Sequence, residues 1–389
     1  MGAWERVWPC DLPQWNERLL NTASHLHQYP FWNESLKLKC LIRPKYLVYR
    51  KNGRALAFVA ILTSGVPPAA FGLIRLGPVT LDRELAPDEA LRSLTVWARR
   101  RGYMFLRITH SDLQWVAAAR ALRGAQNVEP FPIYPSPDYE LRVELLEDED
   151  KLMASLQKVA RHEIRKSAEI GYQIHSSESP ESLVQAWPIF SKMCERKGRQ
   201  FYRRSVESYR SLVQLAKAHN CAKLYTAHLG SRLVQAILVV RDYNIGHYVA
   251  GALDVDALCG QKTSPSCLLH WTAMKDLIRS GGTSYNLGSL GVGALHIFKN
   301  KFHPARVDFP PPVTIPINPL FHLWMKVLPG LPTLYSISTK VSAAAGLATS
   351  QVKRYIPWLG YFFKIVWQLR QPEYYKDAKR SGMANGPGT

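Results

Sequence analysis

The sequence predicts an α/β (α+β) protein in which one module is used twice. Two observations carry that expectation: a hairpin pattern that recurs at a fixed distance, and a helix, glycine and strand that follow each hairpin in the same order. The first hairpin, "YLVYRKNGRALAFVAIL" (46–62), reads as two strands joined at Asn52-Gly53, a dipeptide that suits the positive φ of a tight turn. The second, "LYTAHLGSRLVQAILVV" (224–240), turns at Gly230-Ser231. In both an arginine enters the next strand, and Arg54 and Arg232 lie 178 residues apart.

Downstream, "EALRSLTVWARRRG" places Leu91, Leu94 and Trp97/Ala98 on one helical face with Arg92, Arg99 and Arg100 off it, and "YMFLRIT" follows as a strand. The second copy offers "SCLLHWTAMKDLIRSGG" and then "TSYNLG", so that Gly102 answers to Gly282 at a separation of 180. A near-constant offset through three elements argues for duplication. Between the copies, "DEDKLMASLQKVARHEIRKSAEIGYQI" carries Leu152, Leu156, Val159 and Ile164 at helical spacing, with Lys158, Arg161 and Arg165 on a different face. The expected organisation is a first module over 1–145, completed by the tail, a linking basic helix and entry strand over 146–174, a second module over 175–310, and a basic, aromatic tail over 311–389 that packs on the body or on a membrane surface.

Fifty Lys+Arg against thirty Asp+Glu give this 389-residue chain a formal charge of +20, which biases its surface toward phosphate-rich partners or an anionic membrane face. A second basic stretch, "KMCERKGRQFYRRSVESYR" (192–210), holds seven Lys/Arg and two Glu. With the linking helix it would wall a groove for a polyanion; a solvated helical face explains either run alone. From Pro310 onward nine Lys/Arg face two acids, interleaved with Trp324, Trp358, Phe362, Phe363 and Trp367. That composition suits either an amphipathic element on an anionic leaflet or a helix packed on the protein's own body.

Cys10, Cys40, Cys194, Cys221, Cys259 and Cys267 are scattered, without a C-x-x-C pair or metal-ligand spacing near histidine, and read as reduced thiols. No metal site is expected. The opening "MGAWERVWPCDLPQW" lacks the apolar stretch of a signal peptide, and no run reaches the roughly 18 apolar residues of a membrane span. The expected location is cytoplasmic, with peripheral contact to the inner membrane face through the tail as an alternative.

The segment "SYNLGSLGVGALHIFKNKFHP" (284–304) is hard to read as packing alone. Gly288, Gly291 and Gly293 allow close backbone approach to a partner, and Lys299 beyond them can hold an anion, which points to a phosphorylated ligand. The G-x-x-x-x-G-K-[ST] loop of nucleotide-binding proteins does not occur. His162, His270, His296 and His303 form no supportable triad by sequence and are expected to be structural or exposed.

The order of motifs resembles the Fem family (FemABX-type) of peptidoglycan interpeptide-bridge aminoacyltransferases, which are built from two GNAT-like acyltransferase modules. The resemblance spans about 20–310 and rests on "HLHQYPFWNESLK", "RLGPVTLD" (75–82), "FLRITHSD" (105–112), "KVARHEIRKSAEIGYQI" (158–174), "GHYVAGALD" (246–254) and "YNLGSLGVGALHIFKNKF". It implies two tandem GNAT-like modules and transfer of an amino acid from aminoacyl-tRNA, without a further cofactor, to an amine on a lipid-linked or nucleotide-linked cell-wall precursor. By motif position it implies that Phe298 and Lys299 form the aromatic-lysine pair beside substrate phosphates and the tRNA 3′ end. It also implies that Tyr248 contacts substrate and that Arg204, Tyr209 and Lys37 fall near substrate-facing positions. Lys158, Arg161, Arg165, Lys166 and Arg203 are the expected tRNA phosphate contacts.

The sequence departs from the family where Thr109 stands for a common aspartate, where "NLGS" (286–289) stands for "DxGG", and where Leu76 replaces an arginine before Gly-Pro. Those departures touch the acceptor more than the fold. Two other readings therefore stay open: an acyl-CoA-dependent N-acyltransferase acting on a surface-polysaccharide sugar or another amine, and a non-catalytic module that binds RNA or membrane. Amide formation needs alignment and a charge at the oxyanion but no nucleophile on the protein. The resemblance therefore makes Lys299 and Tyr248 the expected catalytic residues, whereas their spacing alone fits a surface lysine and a packed strand tyrosine.

Overall fold

The computed structural model describes residues 2–36, 43–65, 67, 70–127, 138–196, 205–289, 294–319 and 321. Both hairpins form where the turn dipeptides place them. Strands β1 (Ala3–Arg6), β2 (Arg43–Lys51) and β3 (Arg54–Ser64) pair antiparallel, and the β2–β3 turn is closed by Asn52 at φ 52° and Gly53 at φ 76°. Helices α1 (Leu12–Leu20) and α2 (Pro30–Glu34) precede β2. Strands β4 (Ala70–Ile74) and β5 (Val79–Thr80), helix α3 (Pro87–Arg100), strand β6 (Tyr103–Ile108) and helix α4 (Leu113–Arg120) follow. Helix α3 buries Ala90, Leu91, Leu94, Trp97 and Ala98, as its spacing predicts, and leaves Arg92, Arg99 and Arg100 exposed.

After β7 (Tyr139–Glu144) the chain forms two helices where one was expected. Asp148 caps α5 (Glu149–Ser155), whose side chain accepts from Asp150 N and Lys151 N, and α6 (Lys158–Ile170) follows, ending at Gly171 with φ 87°. Leu152, Leu156 and Ile164 are buried as expected, but Val159 is 51% exposed and Ala160 takes its place. The two-residue break at Leu156-Gln157 shifts the helical register, so spacing counted through it aims Val159 at solvent.

The second copy then repeats the order: β8 (Gln173–Ser177), α7 (Pro180–Arg196), α8 (Val206–Lys217), β9 (Ala222–Leu229), β10 (Arg232–Arg241), β11 (Ile245–Leu253), α9 (Ser266–Arg279), β12 (Ser284–Asn286) and α10 (Ala294–Asn300). Strands β13 (Ala305–Asp308) and β14 (Val313–Pro316) complete the described chain. Gly281, at φ 80°, and not Gly282, is the left-handed counterpart of Gly102 at φ 69°, which makes the separation 179 rather than 180. Gly281 supplies the positive φ after its helix, as Gly102 does after α3.

The expected module boundaries differ from the sheets in one respect. The first sheet runs β1-β2-β3-β4-β6-β14, with β5 on β3, and the second runs β13-β7-β12-β11-β10-β9-β8. Strand β7, assigned by sequence to 1–145, pairs antiparallel with β12 of the second sheet, while β14, in the expected tail, pairs antiparallel with β6 of the first. Each half donates its last strand to the other. The alternation in both segments is that of any half-buried strand, so it announces a strand but not its sheet. The rest of the expected tail, apart from Phe321 and the residues before 320, lies outside the described residues.

Separate apolar clusters underlie the two sheets. One joins Leu91, Leu94, Leu106 and Trp115 under the first, and another joins Leu152, Ile164, Met274, Tyr285 and Phe302 under the second. A third, with Phe31, Phe58, Phe190, Leu212 and Leu238, crosses between the halves. Among the described residues no helix is long and apolar enough to cross a membrane.

Candidate active site

Parallel pairing of β11 with β12 lasts three registers and stops at His247↔Asn286. Strand β11 runs on to Leu253 with β10, whereas the chain after Asn286 leaves with β7 through Leu287 N–H to Leu141 O at 2.8 Å and Leu141 N–H to Gly288 O at 3.0 Å. A cleft opens between the diverging segments, and Tyr248 is the first residue of β11 beyond the pairing. On the other side of the parting, α10 brings Lys299 to the turn that follows Asn286. The Lys299 ammonium donates to Ser289 O at 2.6 Å, and a Cβ on Gly288, at φ 73°, would stand 3.8 Å from Nζ.

Aromatic rings fill the base of the cleft. Tyr248 meets His270 edge-on at 4.7 Å between centroids, and His270 lies 5.3 Å from Phe298 and 5.5 Å from Phe302. His270 Nδ1 shares a 2.7 Å hydrogen bond with the Tyr285 hydroxyl. Close packing is demanded at Gly251, where a Cβ would fall 2.2 Å from the Tyr248 hydroxyl. Of the residues expected from sequence, Phe298 and Tyr248 both meet His270, Lys299 stands next to Phe298 on α10, and Tyr209 is buried 5.9 Å from the Trp187 ring in the cluster between the halves. Lys37, Arg203 and Arg204, like Gly291 and Gly293, lie outside the described residues.

The electrostatics follow from burial. Lys299 is only 6% exposed, and loss of water pulls its pKa down from the usual lysine value to about 8. Burial, reinforced by the Lys299 charge, drives His270 down to about 3, so its imidazole is neutral at pH 7. Burial also raises the Tyr248 phenol, with a smaller push from Tyr209, which keeps it a hydrogen-bond donor. The site thus offers the Lys299 cation, the Tyr248 phenolic O–H and a neutral imidazole bonded to the Tyr285 hydroxyl. His270 was read as structural; the signal that it belongs to the site was its register on α9 with Cys267, Met274 and Leu277, an apolar face that a histidine enters only with a partner. His162 and His303 are exposed, as expected, and His296 is partly buried beside Asn300.

The predicted phosphate contacts divide. Lys158, Arg165 and Lys166 are exposed on α6, although Lys166 pairs with Glu169 at 3.1 Å. Arg161 turns back instead, donating from Nη1 to Ala154 O and Leu156 O, both at 2.9 Å, and so closes the α5–α6 break. In the second basic stretch Lys192 is held by Asp254 and Asp256, and Arg210 lies 3.6 Å from Glu181. The described part of that stretch is therefore largely paired on the protein itself.

A buried polar cluster behind the cleft was not anticipated. His25 Nε2 meets Glu140 Oε1 at 2.9 Å, Arg142 donates to Glu140 Oε2 at 2.8 and 3.0 Å, and His247 Nε2 meets Asp242 Oδ2 at 2.6 Å. One ligand-type atom each from His25, Glu140 and His247 falls within 4.8 Å of the others, the spacing of a cation site. The hydrogen bonds specify another filling. Asn286 Oδ1 accepts from Gly288 N–H, so its amide nitrogen donates to His247 Nδ1, and His27 N–H donates to His25 Nδ1. Both imidazoles then carry their proton on Nε2, toward the carboxylates. Burial lowers the His25 pKa; burial opposes the Glu140 charge, but the His25 hydrogen bond and nearby positive groups hold its carboxyl well below the usual range.

Residues 154–296 match the Acetyltransferase (GNAT) domain family. No curated protein matches the sequence. Among solved structures, FemX superposes with a TM-score of 0.70 at 14% identity, over 83% of this chain and 99% of FemX. A conserved protein of unknown function from Bacteroides thetaiotaomicron gives 0.57 at 11%, over 81% and 99%, and L-PGS from Bacillus licheniformis gives 0.51 at 12%, over 83% and 96%. At such identities the likeness concerns the fold, and with the two sheets and the matched domain it is specific: the chain has the tandem GNAT acyltransferase fold found in FemX.

Proposed function

We propose that this chain is an amide-forming acyltransferase that moves an amino acid from aminoacyl-tRNA to an amine of a cell-wall precursor or related small acceptor. The single observation that carries the chemistry is a buried lysine held at the turn where β12 leaves β11, with the Tyr248 phenol just beyond the same parting, in a fold shared with FemX. The neutral acceptor amine attacks the ester carbonyl, and a C–N bond forms as the carbonyl electrons move onto oxygen. The protonated Lys299, aided by the Tyr248 O–H, stabilises that oxyanion. Collapse breaks the ester C–O bond, and the proton lost by the amine ends on the departing ribose hydroxyl. No carboxylate base is needed if substrate oxygens carry the proton. His270, being neutral, supports the Tyr248 and Phe298 rings rather than taking protons.

The choice of donor rests on the +20 charge and on Lys158 and Arg165, which project from α6. The test is transfer from charged tRNA or acetyl-CoA to candidate amines, with and without ribonuclease, together with tRNA binding at several salt concentrations. A tRNA donor gives ribonuclease-sensitive transfer and a log–log salt slope of several units, about 0.7 to 0.9 per phosphate contacted. Transfer that survives ribonuclease and uses acetyl-CoA would replace this reading with the CoA-dependent one. Charged binding without transfer from either donor would leave a non-catalytic RNA- or membrane-binding module.

A further inference from the structure

The first half of the chain reaches the candidate lysine through an unbroken line of hydrogen bonds, buried at its start and half-buried where it meets the turn. Leu26 N–H, from the segment before α2, donates to Asp242 Oδ2 at 3.0 Å, and Ile245 N–H donates to Asp242 Oδ1 at 3.1 Å. His247 passes the line from Asp242 to Asn286, whose amide is 3.0 Å from His247 Nδ1. Asn286 Oδ1 then accepts from Gly288 N–H at 2.7 Å, inside the turn whose next carbonyl, Ser289 O, holds the Lys299 ammonium. Asp242, His247 and Asn286 are all buried. His247 and Asn286 also occupy the last parallel register before the strands part, so their side-chain bond fixes where the cleft begins.

We propose that His247 and Asn286 are positioning residues for Lys299: they set the Gly288–Ser289 turn, and through it the place and burial of the ammonium. This deepens the acyltransferase reading and rests on it for the consequence, not for the geometry. A turn held at Gly288 N–H keeps Ser289 O aimed at Nζ. Without that bond the turn and the lysine relax toward water, where an ammonium is better solvated and its pKa returns toward about 10.4. The groups facing His247 are Asp242 and Asn286 directly, and His25, whose ring lies 5.0 Å away, with Glu140 and Arg142 behind it.

The experiment uses the full chain without any substrate. Competitive labelling of lysines with acetic anhydride, read by mass spectrometry across pH, gives the midpoint at which Lys299 becomes reactive. Asn286→Leu, which keeps volume but neither hydrogen bond, and Asn286→Ser, which shortens the reach, are each expected to raise that midpoint by about one unit, while the other lysines keep theirs. Asn286→Asp still accepts from Gly288 N–H and lets His247 take a second proton, and it is expected to restore the wild-type midpoint. With a working donor, the Leu and Ser variants should lower kcat about tenfold or more with donor KM within twofold. An unmoved Lys299 midpoint in whichever of the two folds overturns the proposal. Absence of transfer by the wild-type chain from either donor would instead overturn the acyltransferase reading and leave the midpoint to judge the positioning.

Discussion

The two halves share an order of elements but treat the parting of their parallel strands in opposite ways. In the first sheet β4 and β6 stay joined beyond their strand ends: Thr109 N–H donates to Ile74 O, Leu76 N–H to Thr109 Oγ1, and Gly77 N–H to Thr109 O. Where β4 leaves β3, the fully buried Gln28 amide bridges the gap, accepting from Ala60 N–H at 2.8 Å and donating to Arg75 O at 2.7 Å. A Cβ on Gly77 would strike that amide at 2.3 Å. In the second sheet the strands part at His247 and Asn286, Tyr248 follows on β11, and Lys299 is held at the turn after Asn286. Helix α4 fills the corresponding place in the first half with the buried Trp115, where α10 presents a lysine. One copy forms a wall where the other holds the cleft.

That contrast is most easily broken at Lys299. Lys299→Met should lower kcat by about 10²–10³-fold while circular dichroism and thermal unfolding stay native, the usual effect of removing an oxyanion donor; an unchanged turnover would deny the second copy its special role. Next in size is Gln28→Leu, which leaves Ala60 N–H and Arg75 C=O unpaired in the wall. It should cost about 2–4 kcal/mol in urea unfolding, and a loss well under 1 kcal/mol would mean that the gap is sealed by other means.

The protonation of Lys299 sharpens the comparison further. Its pKa lies near 8, so the cation is present below that pH and is lost as pH rises through it; kcat should fall up to about tenfold per unit above pH 8. The residual rate of Lys299→Arg should lack that limb, because a guanidinium keeps its proton. The smallest effect concerns the linker between the copies. Arg161→Ala should cost about 1 kcal/mol of stability through the two carbonyls it leaves and barely change tRNA affinity, whereas Lys158→Ala and Arg165→Ala should do the reverse and each reduce the salt slope by about one.

The sequence made the duplicated order legible because hairpin turns and helix faces are local: Asn52-Gly53 and the Leu91/Leu94/Trp97 stripe carry their own signals. The aromatic-lysine pair and Tyr248 were singled out by family resemblance, and the fold brings Phe298 and Tyr248 together against His270. What local patterns do not encode is partner choice across long separations. Strand β7 alternates like any other, so its place in the second sheet was invisible, whereas the tail that holds β14 was grouped with the first module. The Asp242–His247–Asn286 line joins residues that only the sheet brings together, and Arg161 looked like a free cation until the break at Leu156-Gln157 supplied carbonyls for it.

The exchange of last strands has a consequence for how the protein is made. The edge of β6 receives its partner only when residues 313–316 have left the ribosome, some two hundred residues after β6 itself. During that interval the nascent first half carries an unpaired strand edge, the kind of surface that templates association with other chains. Cutting the chain between the halves would make the interval permanent, because residues 1–145 would carry β7 without its sheet and lack the strand that closes their own. The two copies are thus bound to a common synthesis, and neither is a portable unit for fusion or exchange.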